Sequence, residues 1–213
     1  MNAPNHWKTA LGLGLGSAAG AVLAGVVPGT AAGLAGVAAL AALGPDLDKP
    51  PENGKPGATA AEAHGLVSNG IAEVVAAISG GHRCTRHWWS THRYTCSLAL
   101  GVVVAVLVAL FPPWPAFVLV AWWGAWPLYC SMPRGVRWSA AWLAAGAAVA
   151  LLGAGLLPVT PLLGLAVTCG WAAHIACDRL QSALFENGGA FETFVAWSTL
   201  AAGAALFCFT TIT

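Results

Sequence analysis

Leu98-Ala99-Leu100-Gly101-Val102-Val103-Val104-Ala105-Val106-Leu107-Val108-Ala109-Leu110-Phe111 runs without a charge into Pro112-Pro113-Trp114-Pro115. A second apolar run, Ala116 to Trp123, follows at once. A hydrocarbon core about 30 Å thick needs about 20 apolar residues to cross it, and proline pairs stop helices between crossings. The same pattern recurs along the chain. Candidate spans lie near 9–27, 30–44, 96–112, 115–131, 138–157, 161–181 and 193–212, broken at Pro28-Gly29, at 112–115, at 133–137, at 158–161 and at 186–189. The second is short and reads as a tilted or partly embedded hairpin arm. The reading is an all-α polytopic membrane helical bundle with about six to seven spans. All of residues 1–213 form one membrane-embedded domain, and 45–95 form a cytoplasmic, ligand-bearing interfacial segment.

Composition agrees. Of 213 residues, 58% are hydrophobic and 8% charged, with a mean hydropathy of +0.72; soluble domains carry about 25% charged residues. Disorder is excluded by the same figures. A net charge of +1 lacks the basic excess of a nucleic-acid binder. The cysteines, at 84, 96, 130, 169, 177 and 208, form no Cys-x-x-Cys pair. Those within apolar runs read as small packing residues, and no disulfide is expected.

Alternating the seven spans puts every Lys and Arg on one side: Lys8, Lys49, Lys55, Arg83, Arg86, Arg93, Arg134, Arg137 and Arg179. The positive-inside rule makes that side cytoplasmic, with the N-terminus in and the C-terminus out. Trp7, Trp88, Trp89, Trp114 and Trp138 lie near span ends as an aromatic belt would. A cleaved signal peptide is the competing reading of the first span, but the chain stays apolar past any cut site. Gly12, Gly16, Gly20 and Ala24 repeat a small residue every four positions, which lets another helix pack closely. Within 58–80, Val67, Ile71, Val74, Val75 and Ile78 recur at helical spacing, with Glu62, Asn69 and Glu73 on the other faces. That pattern suits an amphipathic surface helix or one packed against the bundle.

Three polar patches fall at the cytoplasmic side. Pro45-Asp46-Leu47-Asp48 brings two carboxylates together after a span, a cation site or a solvated turn. His82, His87 and His92 lie within eleven residues among Arg83, Arg86, Arg93, Trp88 and Trp89. An interfacial anchor explains the arginines and tryptophans, not the imidazoles. His174 and Asp178, four apart near the end of the sixth span, share one helix face. They read as two ligands of one cation, as a ligand whose ring Asp178 orients, or as a metal-free hydrogen-bonded pair. Imidazole with carboxylate suits zinc, manganese or iron. Such a divalent ion would make a hydroxide nucleophile at neutral pH, with Asp48 or Glu73 as general base and Arg83, Arg86 and Arg93 steadying an anionic substrate.

Pro45-Asp46-Leu47-Asp48, the histidine-rich 82–97 stretch and Gly170-Trp171-Ala172-Ala173-His174 with Asp178, preceded by His6, resemble in order and spacing the bacterial inner-membrane metal-dependent hydrolases. That family is also described as LexA-binding, inner membrane-associated hydrolases. The resemblance covers about 6–190 and implies a hydrolase in the bacterial inner membrane. Asp46, Asp48, His87, His174 and Asp178 would carry the site, with His82 and His92 competing for one position. A phosphoester or lipid-like substrate is expected from the interfacial arginines and tryptophans. Lys49 stands where the family has a histidine, and one register puts Cys96 on another. Those departures keep a non-catalytic membrane scaffold open. A transporter would place charges near mid-bilayer, and 98–128 and 138–170 hold none.

Overall fold

Proline and glycine set the helix boundaries. In the computed structural model, residues 3–45, 91–133, 139–156, 160–184 and 189–212 are described. They form seven α-helices with no strand among them: α1 (Ala3–Leu23), α2 (Pro28–Ala41), α3 (Tyr94–Leu110), α4 (Pro113–Ser131), α5 (Ala140–Gly153), α6 (Leu162–Leu184) and α7 (Gly189–Ile212). Pro28 and Pro113 open α2 and α4, where a missing N–H costs nothing. Gly25 (φ 90°) and Gly155 (φ 68°) close α1 and α5 in the left-handed conformation. In each turn the next residue donates back five positions, Val26 N to Ala21 O and Leu156 N to Leu151 O.

Each helix answers to one of the seven expected apolar runs, so the helical class is as the sequence predicts. Spanning length is a separate matter. α2, α3 and α5 are apolar but have 14, 17 and 14 residues, about 21–26 Å at 1.5 Å per residue. Among the described residues, only α7, over Thr193–Ile212, is both long and apolar enough to cross a bilayer, with a mean hydropathy of 1.6.

α7 packs on α1 more extensively than any other pair. Hairpins α1–α2 and α4–α5 follow, then α3 on α6 and α2 on α6. α6 therefore touches α1, α2 and α3. The core lies among Val37, Val104, Val108, Leu119, Leu163, Val167, Trp171 and Ile175, all buried. Of the small-residue repeat in α1 only Gly12 meets a partner helix. A Cβ there would strike the Thr199 carbonyl, and one at Gly203 would strike Gly12 O, whereas Gly16 and Gly20 face open space. Of the described thiols, Cys177 is buried while Cys169 and Cys208 are exposed, so those two do not pack a core as the sequence suggests.

Candidate metal centre

α6 carries two of the three side chains that could hold a metal ion. His174 and Asp178 stand one turn apart on a face closed by α2 and by the segment before α3. At Gly170, one turn earlier, a Cβ would collide with Ala38 O, so that glycine lets α2 lie against α6. Four residues on, His174 Nδ1 reaches the Ala42 carbonyl at 2.6 Å. Ala42 is the C-cap of α2, past the helical ladder, where carbonyls lack intrahelical donors. A carbonyl only accepts, so Nδ1 carries the hydrogen. In the neutral ring this leaves a lone pair on Nε2.

The third side chain comes from Thr91-His92, immediately before α3. Trp171 Nε1 donates to Thr91 O at 2.6 Å, and the same indole leans over Gly44, where a Cβ would overlap it. Trp171 thus ties the end of the α2 segment and the start of the α3 segment to α6. Thr91 Oγ1 lies 3.1 Å from His92 Nδ1, which aims the other ring nitrogen inward.

His92 Nε2 lies 3.2 Å from His174 Nε2 and 3.3 Å from Asp178 Oδ2, and His174 Nε2 lies 3.2 Å from that same oxygen. The rings meet edge to face, at 68° with centroids 5.1 Å apart. His174 is 1% exposed, His92 4%, and the Asp178 side chain 11%. The three atoms make a nearly equilateral triangle. Its centre lies about 1.9 Å from each atom, the edge divided by √3. Tetrahedral zinc with bonds of about 2.0–2.1 Å has ligand–ligand edges of about 3.3–3.4 Å. The triangle therefore matches in size one face of such a tetrahedron, and these three atoms would supply three of its four donors.

Electrostatics agree with the spacing. With its hydrogen on Nδ1, a neutral His174 turns a lone pair toward the Asp178 carboxylate at 3.2 Å. Two electron-rich atoms so close in a buried place need positive charge between them, a proton or a cation. These three residues could hold a metal ion, and two imidazoles with one carboxylate are a donor set used by zinc and by non-haem iron.

Of the ligands expected from the sequence, His92, His174 and Asp178 come together here. Asp46, Asp48, His82 and His87, the base candidates Asp48 and Glu73, and Arg83 and Arg86 lie outside the described residues. Arg93 follows His92 and is exposed. The orienting role considered for Asp178 belongs instead to the Ala42 carbonyl, which takes the Nδ1 side of the ring and leaves Asp178 beside Nε2. Thr91, Trp171 and Gly44 are supporting residues to which the sequence reading assigned no role. Their signal was faint: a Thr-His pair just ahead of an apolar run, and a tryptophan three residues before His174. Arg179, beside Asp178, holds its guanidinium 4.8 Å over the Tyr94 ring.

Comparison with known proteins identifies no relative: no family model matches the chain, and no curated protein or solved structure is significantly similar to it.

Proposed function

We propose that the chain is a multi-pass protein of the bacterial inner membrane, N-terminus inside, that binds one divalent metal ion and acts as a metal-dependent hydrolase. The observation that carries this reading is the 3.2–3.3 Å triangle of His92 Nε2, His174 Nε2 and Asp178 Oδ2. Three protein ligands leave a coordination position for water or substrate, the pattern of catalytic rather than structural zinc. Bound there, the ion would supply a hydroxide nucleophile near neutral pH and polarise the substrate's scissile group.

The protein's own share is positioning. Ala42 O fixes the metal-competent tautomer of His174. Burial of both rings keeps bulk water from competing for the ligands. Asp178, the most accessible of the three, marks the side from which substrate would approach. Asp48 or Glu73 is proposed as general base, and Asp46 or His87 as the alternative to water at the remaining coordination position, on the family resemblance of 45–97 and 170–178.

Membrane residence draws support from α7 and from the large apolar side chains that α3, α5 and α7 expose, among them Leu98, Val102, Val106, Trp142, Val149, Phe194 and Phe209. Contiguous exposed apolar surface of this kind is rare on soluble monomers. Lipid is the proposed neighbour, and a phosphoester or lipid-like molecule the proposed substrate.

Elemental mass spectrometry of the detergent-purified chain tests the reading, beside a His92→Ala/His174→Ala variant. The expected result is about one equivalent of zinc, manganese or iron per chain, lost in the folded variant. A panel of phosphoesters and lipid esters should then show turnover abolished by chelator and restored by metal. A wild type that cannot be loaded with any of the three metals would overturn the metal site. A loaded protein inert across the panel would leave the scaffold reading in place of the hydrolase.

A further inference from the structure

A groove of about 640 Å³ runs between α1, α2 and α6, within the roughly 300–1,000 Å³ of small-molecule pockets. Leu13, Leu34 and Leu165 line it, with many alanines. Ser17, Cys169 and Tyr94 supply the only side-chain heteroatoms among its described lining residues. Along α6 it extends from Leu162 to Ala176, about 21 Å at 1.5 Å per residue. One leaflet of hydrocarbon is about 15 Å deep, so the groove is long enough to take an acyl chain of one leaflet.

Its two ends differ in charge. α2 and α6 run parallel, since Ala38 meets Gly170 and Ala42 meets His174, while α1 returns antiparallel along α2 with Gly14 against Ala35. The start of α1 and the end of α6 therefore share one end. There Lys8 lies over Trp197 of α7, and Arg179 over Tyr94, itself a lining residue. At the other end, 24–34 and 154–165 hold no charged residue. Asp178 also stands at that end, but its Oδ2 faces His92 and His174 within 3.3 Å, so Arg179, over the lining residue Tyr94, is the charged side chain placed to meet the phosphate of an anionic amphiphile. The wall formed by α1 also adjoins α7, the helix able to cross a bilayer, through Gly12 and Gly203. An occupant entering from the bilayer thus meets the groove at membrane depth.

We infer that this groove holds one acyl chain of an anionic membrane lipid, its phosphate against Arg179. The inference goes beyond the metal site and does not need the triad to be catalytic. Gly170, which begins the 170–174–178 row, lines the groove, so the lipid's head end and the triad lie at the same end of α6.

Native mass spectrometry of the delipidated full chain, with phosphatidylglycerol or phosphatidylcholine added, tests it. Wild type should keep one phosphatidylglycerol under conditions that strip detergent, and prefer it to phosphatidylcholine by about tenfold. Ser17→Trp and Ala172→Trp, each placing an indole in the groove, should cut that occupancy about tenfold with far-UV dichroism unchanged. Arg179→Gln should abolish the preference for the anionic lipid. Equal occupancy in wild type and both tryptophan variants would overturn the groove as the site. No preference in wild type, or a preference that survives Arg179→Gln, would overturn the headgroup assignment. A lipid-free dimer would show instead that a second copy covers the groove.

Discussion

Replacing Asp178 by asparagine removes the only negative charge of the triad while keeping the side chain's shape. In wild type, Oδ2 lies within 3.3 Å of both Nε2 atoms, so the carboxylate supplies one of three donors and all of their charge. Zinc at one hundred times its Kd stabilises a folded protein by about 2.7 kcal/mol. For a chain of this length that raises the thermal midpoint by about 5–11 °C, at roughly 2–4 °C per kcal/mol. Outer-shell partners of a metal site alone are worth about 10–100-fold in affinity, so loss of a direct ligand should cost at least the upper figure. At the same zinc concentration the variant would then sit near its Kd, where about 0.4 kcal/mol remains, a shift of about 1–2 °C. The metal-free proteins should behave otherwise. An asparagine Nδ2 can donate to the His174 lone pair that the carboxylate opposes, so the variant with chelator should melt at or slightly above wild type. Thermal unfolding by circular dichroism in detergent, with chelator and with zinc, measures all four midpoints. Equal zinc shifts in the two proteins would refute the ligand assignment. A variant that melts far lower with chelator would show that Asp178 holds the fold rather than an ion.

Trp171→Phe keeps an aromatic ring over Gly44 but removes the hydrogen bond from Trp171 Nε1 to the buried Thr91 carbonyl; a lost hydrogen bond of this kind costs about 0.5–1.5 kcal/mol. The thermal midpoint should fall accordingly, and zinc affinity should drop about tenfold because His92 loses its anchor; unchanged values in both measurements would remove Trp171 as a strut. Gly101→Ala puts a Cβ against Thr168 Oγ1 and 2.6 Å from Gly164 O, so separating α3 from α6 should cost about 1–3 kcal/mol. Gly146→Ala, at a position in α5 with no neighbour within 4 Å of the new Cβ, should instead stabilise by about 0.5–1 kcal/mol through helix propensity. Paired melts of these two variants, shifted in opposite directions, check both statements.

Helix positions were legible because prolines and glycines punctuate a chain whose remaining residues nearly all favour an apolar helix. Helix starts were less so. α1 begins at Ala3 and α7 at Gly189, earlier than the apolar runs at 9 and 193, because polarity ends a run but not a helix. Asn5 donates to Thr193 across those two starts at 3.4 Å, a contact between residues 188 apart that no local pattern announces. In the site, His174 and Asp178 were readable as an i, i+4 pair. The placing of His92 beside them was not. It depends on where the α3 segment crosses α6, which Gly101 against Gly164 and Trp171 against Thr91 decide. Backbone groups were invisible altogether, since a sequence names side chains and Ala42 acts through its carbonyl.

That carbonyl has an evolutionary consequence. A side chain orienting the His174 imidazole would be one codon away from loss, whereas every residue type at position 42 presents the same C=O. His174's tautomer is inherited with the path of α2, and drift in side chains along that helix leaves it intact until the helix itself is displaced. Susceptibility thereby moves to Gly170 and Gly44, whose lack of a side chain holds α2 and its C-terminal segment within reach. In a population of diverging copies, these glycines should tolerate change as poorly as the His92, His174 and Asp178 side chains they position.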